Sequence, residues 1–462
     1  MRILIVVHSY PPTHNGGAER RAERTARVMH ARGHDVRVLC VKTTEASHSE
    51  VRWEEEAHNG VLVRRISYNP IIGRVPWRWS YDTPQLGAVL ADMIDSWTPD
   101  LVHLFSGYLM SASTINVSVN RGVPVIVSLT DYFWICHQLT LVRSNGHRCA
   151  GSTPIACARC LAEERRSYHY LREFLPGAAE LFWGMAEQLP QMGAWLGVDE
   201  QVERVEKLRL ALGRAAALIA PSHYLAEQYE RHGIIHERLY VWRQGVELDL
   251  CPLREPSETL RVGYIGQVKP HKGVHTLLDA WQQLRSNRPR QLLIYGSPHG
   301  DDAYAQAIHK QIARSEHVAW HGEFRAQEVW QVLAQLDVLV VPSRWPENSP
   351  NCILEAQAMG VPIIGTNLGG IAELVTNEVN GLLFAADSSD DLARQLQRLL
   401  DEPGLLPILR HGSLDVQHIT HEMDRLEALY DELYDNRRTH IAEMPTIEHI
   451  VASGDPAGSS QQ

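Results

Sequence analysis

The sequence predicts an α/β protein of two doubly wound, parallel-sheet domains, and three observations lead there. The chain opens on an apolar strand, a glycine turn, a helix and a second strand. A second series of short apolar runs alternates with helical stretches between Arg261 and Gly365. Finally, 462 residues exceed one ordinary core but suit two α/β units of roughly 200 residues each.

In the first unit Ile3–Val7 is a continuous apolar run, as a strand covered on both faces requires. A loop with Pro11, Pro12, Gly16 and Gly17 follows, then a helix from about Glu19 to Arg32 ended by Gly33, then Val36–Val41 as the next strand. The paired glycines lack Cβ atoms, so the backbone can approach a ligand where the helix N-terminus points its N–H groups. The loop is not G-x-G-x-x-G, and an ordinary βα turn fits it as well. Further strands are expected at Leu101–Phe105, Val123–Leu129 and Leu218–Ala220. Residues 136–213 form a long, partly helical insertion. Its apolar portion, with Trp183, Met185, Leu189, Met192, Trp195 and Leu196, reads as packed core ahead of a lid or a membrane-touching face. These elements assign residues 1–245 to the first domain.

The second domain, 246–414, has strands at Arg261–Ile265, Gln291–Tyr295, Val318–His321, Val338–Val341 and Pro362–Gly365, separated by helical stretches such as Val274–Leu284 and Ala326–Leu336. Ligands of doubly wound sheets sit at the carboxyl ends of strands, so Gly266 and Glu347, which both follow strands, should meet in a cleft between the two sheets. A helix over about 415–435 follows, and 436–462, with its Gly-Asp-Pro-Ala-Gly-Ser-Ser run, reads as a disordered tail.

The most informative stretch is Pro342–Val375. Pro342, Pro346 and Pro350 force irregular backbone before a helix resumes at Leu354–Met359, so Glu347 lies on a loop and Glu355 at a helix start, with seven residues between them. The amides of Asn351, Cys352 and Ile353 favour a phosphate or a hydroxyl-rich ligand, and each carboxylate can accept from paired sugar hydroxyls. The plainer reading is an exposed loop acid and a first-turn acid steadied by the helix dipole.

This stretch resembles the donor-binding signature of the retaining GT-B glycosyltransferases of the group 4 family. The resemblance covers the E-x7-E pair, the following L-E-A-x-A-x-G-x-P-I-I-G-T and the G-G-I-A-E-L-V run at Gly369–Val375. It implies a GT-B fold of two Rossmann-like domains facing a cleft, with the last helix returning to the first domain. It also implies transfer of a hexosyl unit from a nucleoside diphosphate sugar to a glycan or lipid-linked acceptor, with no cofactor and no catalytic metal. Glu355 would hold the ribose and Glu347 the sugar. Gly16 and Gly17 would line the phosphate-facing loop.

The phosphates would meet Gly266-Gln267-Val268-Lys269-Pro270-His271-Lys272-Gly273. A fixed lysine stabilises charge developing on a leaving diphosphate without a metal, and Lys272 falls on the family's lysine. The family's arginine position holds Gln267, a departure that Lys269 could offset. A second departure is Thr130, where many relatives carry histidine directly before Asp131. Threonine cannot take a proton near neutral pH, so that role passes to Asp131, to another residue such as His103 or to the donor phosphate itself; the resemblance favours the phosphate, with Asp131 orienting or desolvating the acceptor. Thr130 also leaves open a non-catalytic sugar-nucleotide-binding protein, and the fold leaves open a phosphorylase or an epimerase.

With 44 basic and 55 acidic residues the net charge is −11, which argues against nucleic acid as a main partner. The opening apolar run is too short for a secretory signal, and no run of about 18 apolar residues occurs, so a cytoplasmic protein is expected, with peripheral membrane contact compatible. Cys136, Cys149, Cys157 and Cys160, spaced C-x12-C-x7-C-x2-C, admit a structural zinc site, free thiols or disulfides.

Overall fold

The computed structural model describes residues 1–12, 16–44, 51–68, 80–143, 146–149, 151–163, 174, 177, 181–183, 185, 196–248, 251–254, 257–298, 302–412 and 416–443. Leu189, Met192 and Trp195 of the apolar insertion lie outside them, as do 444–462 of the expected tail.

The first domain runs β1 (Arg2–Val7), α1 (Gly17–Ala31), β2 (Asp35–Thr43), β3 (Arg52–His58), β4 (Val61–Ser67), α2 (Pro84–Trp97), β5 (Leu101–Phe105), α3 (Ser111–Asn120), β6 (Val125–Ser128), α4 (Pro154–Glu163), α5 (Val198–Gly213), β7 (Ala217–Ala220), α6 (His223–Arg231) and β8 (Leu239–Val241). Its sheet has the order β3-β4-β2-β1-β5-β6-β7-β8, parallel except for the β3–β4 pair. The second runs β9 (Leu260–Ile265), α7 (Val274–Gln283), β10 (Arg290–Tyr295), α8 (Asp302–Ile312), β11 (Val318–Gly322), α9 (Val329–Ala334), β12 (Val338–Val341), α10 (Asn351–Ala358), β13 (Ile363–Thr366), α11 (Gly369–Leu374), β14 (Gly381–Phe384), α12 (Ser389–Asp401) and α13 (Leu405–His411), after which α14 (Ile419–Glu443) joins the first domain. Its sheet has the order β11-β10-β9-β12-β13-β14, all parallel. Both sheets are covered by helices, which is why their central strands are continuous apolar runs.

In each sheet the strand order reverses beside the first strand of its domain, β1 or β9. Ligand crevices open at such switch points, outside the carboxyl ends of the strands. The chain leaves the first sheet through Gly245–Val246 and returns through Gln417–Ile419, and the two crossings are bonded to each other, Val246 N to Gln417 O at 3.0 Å and Ile419 N to Val246 O at 2.9 Å. A Cβ on Gly245 would meet Ile419 Cα at 2.6 Å, so glycine permits that close crossing. The returning helix α14 places Met423, Leu426, Leu429, Tyr430 and Leu433 in one apolar cluster with Ile3, Ile5 and Val7 of β1 and Ala22 and Ala26 of α1.

Two expectations are corrected here. Helix α14 continues to Glu443, so 436–443 is helix and not tail. Arg437 explains part of the extension, because its guanidinium donates to Pro99 O and Asp100 O at 2.9 and 3.0 Å. His103, offered as a base, lies inside β5 with no exposed surface. Its ring nitrogens contact Tyr430 Oη at 2.5 Å and Ser128 Oγ at 2.9 Å, and burial pushes its pKa well below the usual value. It is a structural link between the sheet and α14. No helix among the described residues is long and apolar enough to cross a membrane.

Tyr430→Phe removes one partner of a buried imidazole. It should cost about 1–3 kcal/mol, read as a lower urea midpoint at unchanged slope.

Candidate active site

Glu347 sits on the loop between β12 and α10, and three donors converge on its Oε1. They are Lys272 Nζ at 2.6 Å, Ser343 Oγ at 2.7 Å and Trp345 Nε1 at 2.8 Å. Only 7% of Glu347 is exposed, so the expectation of an open loop acid is corrected. Lys272 ends a single 3-10 turn, Pro270–Lys272, and its ammonium also lies 5.0 Å from the centre of the Trp345 ring. Gly273 follows at φ 74°, where a Cβ would strike Pro342 O at 2.0 Å. Glycine is what lets this turn press against the strand end that carries Glu347.

From the other side α11 closes on the same loop. Gly370 N donates to Glu347 O at 2.6 Å, and a Cβ on Gly370 would lie 1.8 Å from Asn348 O. The first domain grips the loop as well, with Tyr132 Oη donating to Pro346 O and Asn348 Nδ2 donating to Thr130 O, both at 2.8 Å.

Glu355 lies in α10 and is 2% exposed; its Oε1 accepts from Arg20 Nη2 of α1, in the first domain, at 2.6 Å. Helices α1 and α10 meet end to end across the cleft, since a Cβ on Gly17 would come 3.8 Å from Asn351 Nδ2. Neither helix has a side-chain cap bond; the cap positions are Gly16 and Pro350. Two positive dipole ends therefore face one place, which suits an anion. The Ile353 amide donates to Pro350 O at 3.1 Å, so among the three expected amides Ile353 is already engaged, leaving the helix end to Asn351 and Cys352. The Cys352 thiol is pushed up to about 12 by burial and stays neutral. Gln244 Nε2 fixes the loop by donating to Ser349 O and Asn351 Oδ1, each at 2.8 Å.

Gly266 follows β9, and Gly296 presses on it so closely that a Cβ there would meet Gly266 O at 1.8 Å. Gln267 is exposed, and its carbonyl accepts from Tyr264 Oη at 2.7 Å. Lys269 is half-buried and precedes the turn that carries Lys272.

On the first-domain wall Asp131 Oδ2 accepts from Ser106 Oγ at 2.5 Å and its Oδ1 from Phe133 N at 2.8 Å. Burial raises its pKa. Beside it stands a group that the sequence reading passed over, His8 at the end of β1. Burial pulls the His8 pKa down, but the Glu19 carboxylate, 3.1 Å from Nε2, and Asp131 more than offset this and raise it. Arg20 was passed over too. A signal was present, because Arg20 and Arg21 follow the first turn of α1, where the dipole disfavours cations and a partner must compensate. Arg21 finds Glu422 at 2.8 Å.

Cys136, Cys149, Cys157 and Cys160 are free thiols, three of them buried. Among the described residues no group of three or more His, Cys, Asp and Glu side chains is arranged to hold a metal ion.

A cavity of about 830 Å3 opens beside α11, bounded by Tyr224, Glu230, Arg243, Leu368 and Glu373. Glu373 spans the two domains, accepting from the amides of His223, at 3.0 Å, and Tyr224 at the start of α6.

Residues 259–402 match the family described as Glycosyl transferases group 1, and residues 16–245 match the Glycosyl transferase 4-like domain. The chain is 26% identical to the D-inositol 3-phosphate glycosyltransferase of Jonesia denitrificans, over 89% of this chain and 90% of that protein. It is 24% identical to the glycogen synthase of Mycobacterium tuberculosis, over 92% and 91%. Among solved structures it resembles Anabaena HepE in complex with UDP and glucose, with a TM-score of 0.64 and 18% identity over 93% of this chain and 99% of that one. Sucrose-phosphate synthase of Thermosynechococcus elongatus has a TM-score of 0.61 and 16% identity over 94% and 100%.

Gly370→Ala should cost at least about 1–3 kcal/mol in urea unfolding, because its Cβ meets backbone. Gly213→Ala, whose Cβ meets nothing within 4 Å, should not destabilise.

Proposed function

Because the chain belongs to the glycosyl transferases of group 1 and has the GT-B fold, we propose that it moves a hexosyl unit from a nucleoside diphosphate sugar to a hydroxyl acceptor with retention at the anomeric carbon. One observation carries the reading: Glu347 with Lys272, and Glu355 with Arg20 of the first domain, gather around Cys352 where the N-termini of α1 and α10 meet. In this reading Glu355 holds the ribose hydroxyls, Glu347 the sugar hydroxyls, and Lys272 the diphosphate. Gly16 and Gly17 line the phosphate-facing loop. Gly266, Gln267 and Lys269 border the phosphates on the second-domain side.

The reaction breaks the bond between the anomeric carbon and the diphosphate oxygen and forms a bond from that carbon to the acceptor oxygen on the same face. The acceptor proton passes to the leaving diphosphate oxygen. Lys272 stabilises the charge that develops there. Asp131, fixed by Ser106 and the Phe133 amide, orients the acceptor hydroxyl. The cavity beside α11 offers room for the rest of a glycan or lipid-linked acceptor. The contacts from Tyr132 and Asn348 across the cleft keep it closed against water, which would otherwise hydrolyse the donor.

The UDP and UDP-glucose complexes of Anabaena HepE make uridine donors the first to try. A thermal-shift series with UDP-, GDP- and ADP-sugars should single out one base, since a ligand at 100 times its dissociation constant adds about 2.7 kcal/mol to stability. Stabilisation by none of them contradicts the donor reading. With the donor in hand, Glu347→Gln should lower turnover roughly 10-fold or more when assayed well below its own unfolding midpoint, which should also fall because the Lys272 ammonium loses its carboxylate. Full activity in that variant removes Glu347 from the mechanism. The anomeric coupling of the product by NMR should match that of the donor, and inversion contradicts the retaining chemistry.

A further inference from the structure

The two carboxylates of the cleft are each paired with one cation, and the two cations come from opposite domains. Lys272 of the second domain holds Glu347, and Arg20 of the first holds Glu355, both at 2.6 Å. The Arg20 pair joins positions 335 residues apart, and Glu355 is 2% exposed. Burying such a pair is costly unless each ion is well matched, and removing one partner strands the other. Arg20 is nevertheless close to a position of unfavourable dipole potential, near the N-terminus of α1. Its neighbour Arg24, one turn on and buried, donates to Gly245 O at 2.9 Å and adds repulsion. A guanidinium held there with one carboxylate is poised for more negative charge than it has.

Resting on the donor reading above, we propose that Arg20 is the second cation of the diphosphate site, supplied by the first domain and parked on Glu355 until a ribose takes that carboxylate. A vicinal diol donating to both oxygens of Glu355 claims the acceptor that Arg20 now holds. Glu355 is four residues into α10 from Asn351, about 6 Å along the axis, and Arg20 is three residues into α1 from Gly17, about 4.5 Å. A diphosphate between the two helix ends therefore lies within reach of the released guanidinium, which can then grip it in bidentate fashion. Gln267, exposed on the opposite wall, brings no charge to that place. Arg20 takes its part, so the first domain supplies a cation that the second-domain loop lacks.

The test compares nucleosides with nucleoside diphosphates. Uridine, guanosine and adenosine, and UDP, GDP and ADP, are titrated by calorimetry into the wild-type protein, Arg20→Ala, Lys269→Ala, and Arg20→Ala combined with Gln267→Arg. For the base that the wild type accepts, Arg20→Ala should weaken the diphosphate about tenfold or more. The same variant should bind the nucleoside as well as the wild type or better, because Glu355 is freed from its competitor. Adding Gln267→Arg should restore diphosphate binding. Unchanged diphosphate affinity in Arg20→Ala overturns the proposal. So does an equal loss of nucleoside and diphosphate, which marks a structural role, or a loss in Lys269→Ala alone. If the wild type binds none of the three diphosphates, the donor reading itself fails, and this proposal with it.

Discussion

Two ion pairs, Lys272 with Glu347 inside the second domain and Arg20 with Glu355 between the domains, are the constraint on which the site depends. They bring two acids and two cations, drawn from α1, the turn after β9 and the loop around α10, into one neutral cluster. Neither pair is an economical source of stability, since desolvating both ions offsets most of the Coulomb gain. Their value lies in exchange. Hydroxyls can replace the cations on the carboxylates while a diphosphate collects the cations, so a sugar nucleotide leaves no charge buried without a partner.

The surrounding backbone is built to keep those four groups in register. Gly273, Gly296 and Gly370 all stand where a Cβ would meet a backbone oxygen at 2.0 Å or less, so three separate loops pack without side chains between them. Gly273 presses the lysine turn on the end of β12, and Gly370 presses α11 on the loop of Glu347. The hydrogen bonds from Tyr132 and Asn348 then tie this loop to the first domain. A rigid second-domain frame faces a wall whose own strand ends carry His8, Ser106 and Asp131, where an acceptor hydroxyl would approach.

Much of this was legible in the sequence wherever one short segment carries the signal. Val338–Val341 and Ile3–Val7 are uninterrupted apolar runs, and they are central strands because both faces are covered. The three prolines at 342, 346 and 350, followed by a helical run, placed Glu347 on a loop and Glu355 in a helix. Other elements carry weaker marks. Strand β3, Arg-Trp-Glu-Glu-Glu-Ala-His, is a charged, exposed edge whose Glu54, Glu55 and Glu56 pair with Lys42, Arg64 and Arg65, and it lacks the alternation of a half-buried strand. Strand β14 is four residues long and begins with glycine. His103 stood as one alternative because its type suggests chemistry, while its packing against Ser128 and against Tyr430 from the far end of the chain shows it enclosed. Arg20 escaped notice for a related reason: its partner, Glu355, lies 335 residues away in the chain.

The most direct measurement is a crystal structure of the protein with its selected nucleoside diphosphate sugar bound. The expected result is a diphosphate between the N-termini of α1 and α10, with Lys272 on its oxygens, Glu347 on sugar hydroxyls and Glu355 on the ribose. A nucleotide bound elsewhere, with both ion pairs intact, would contradict it.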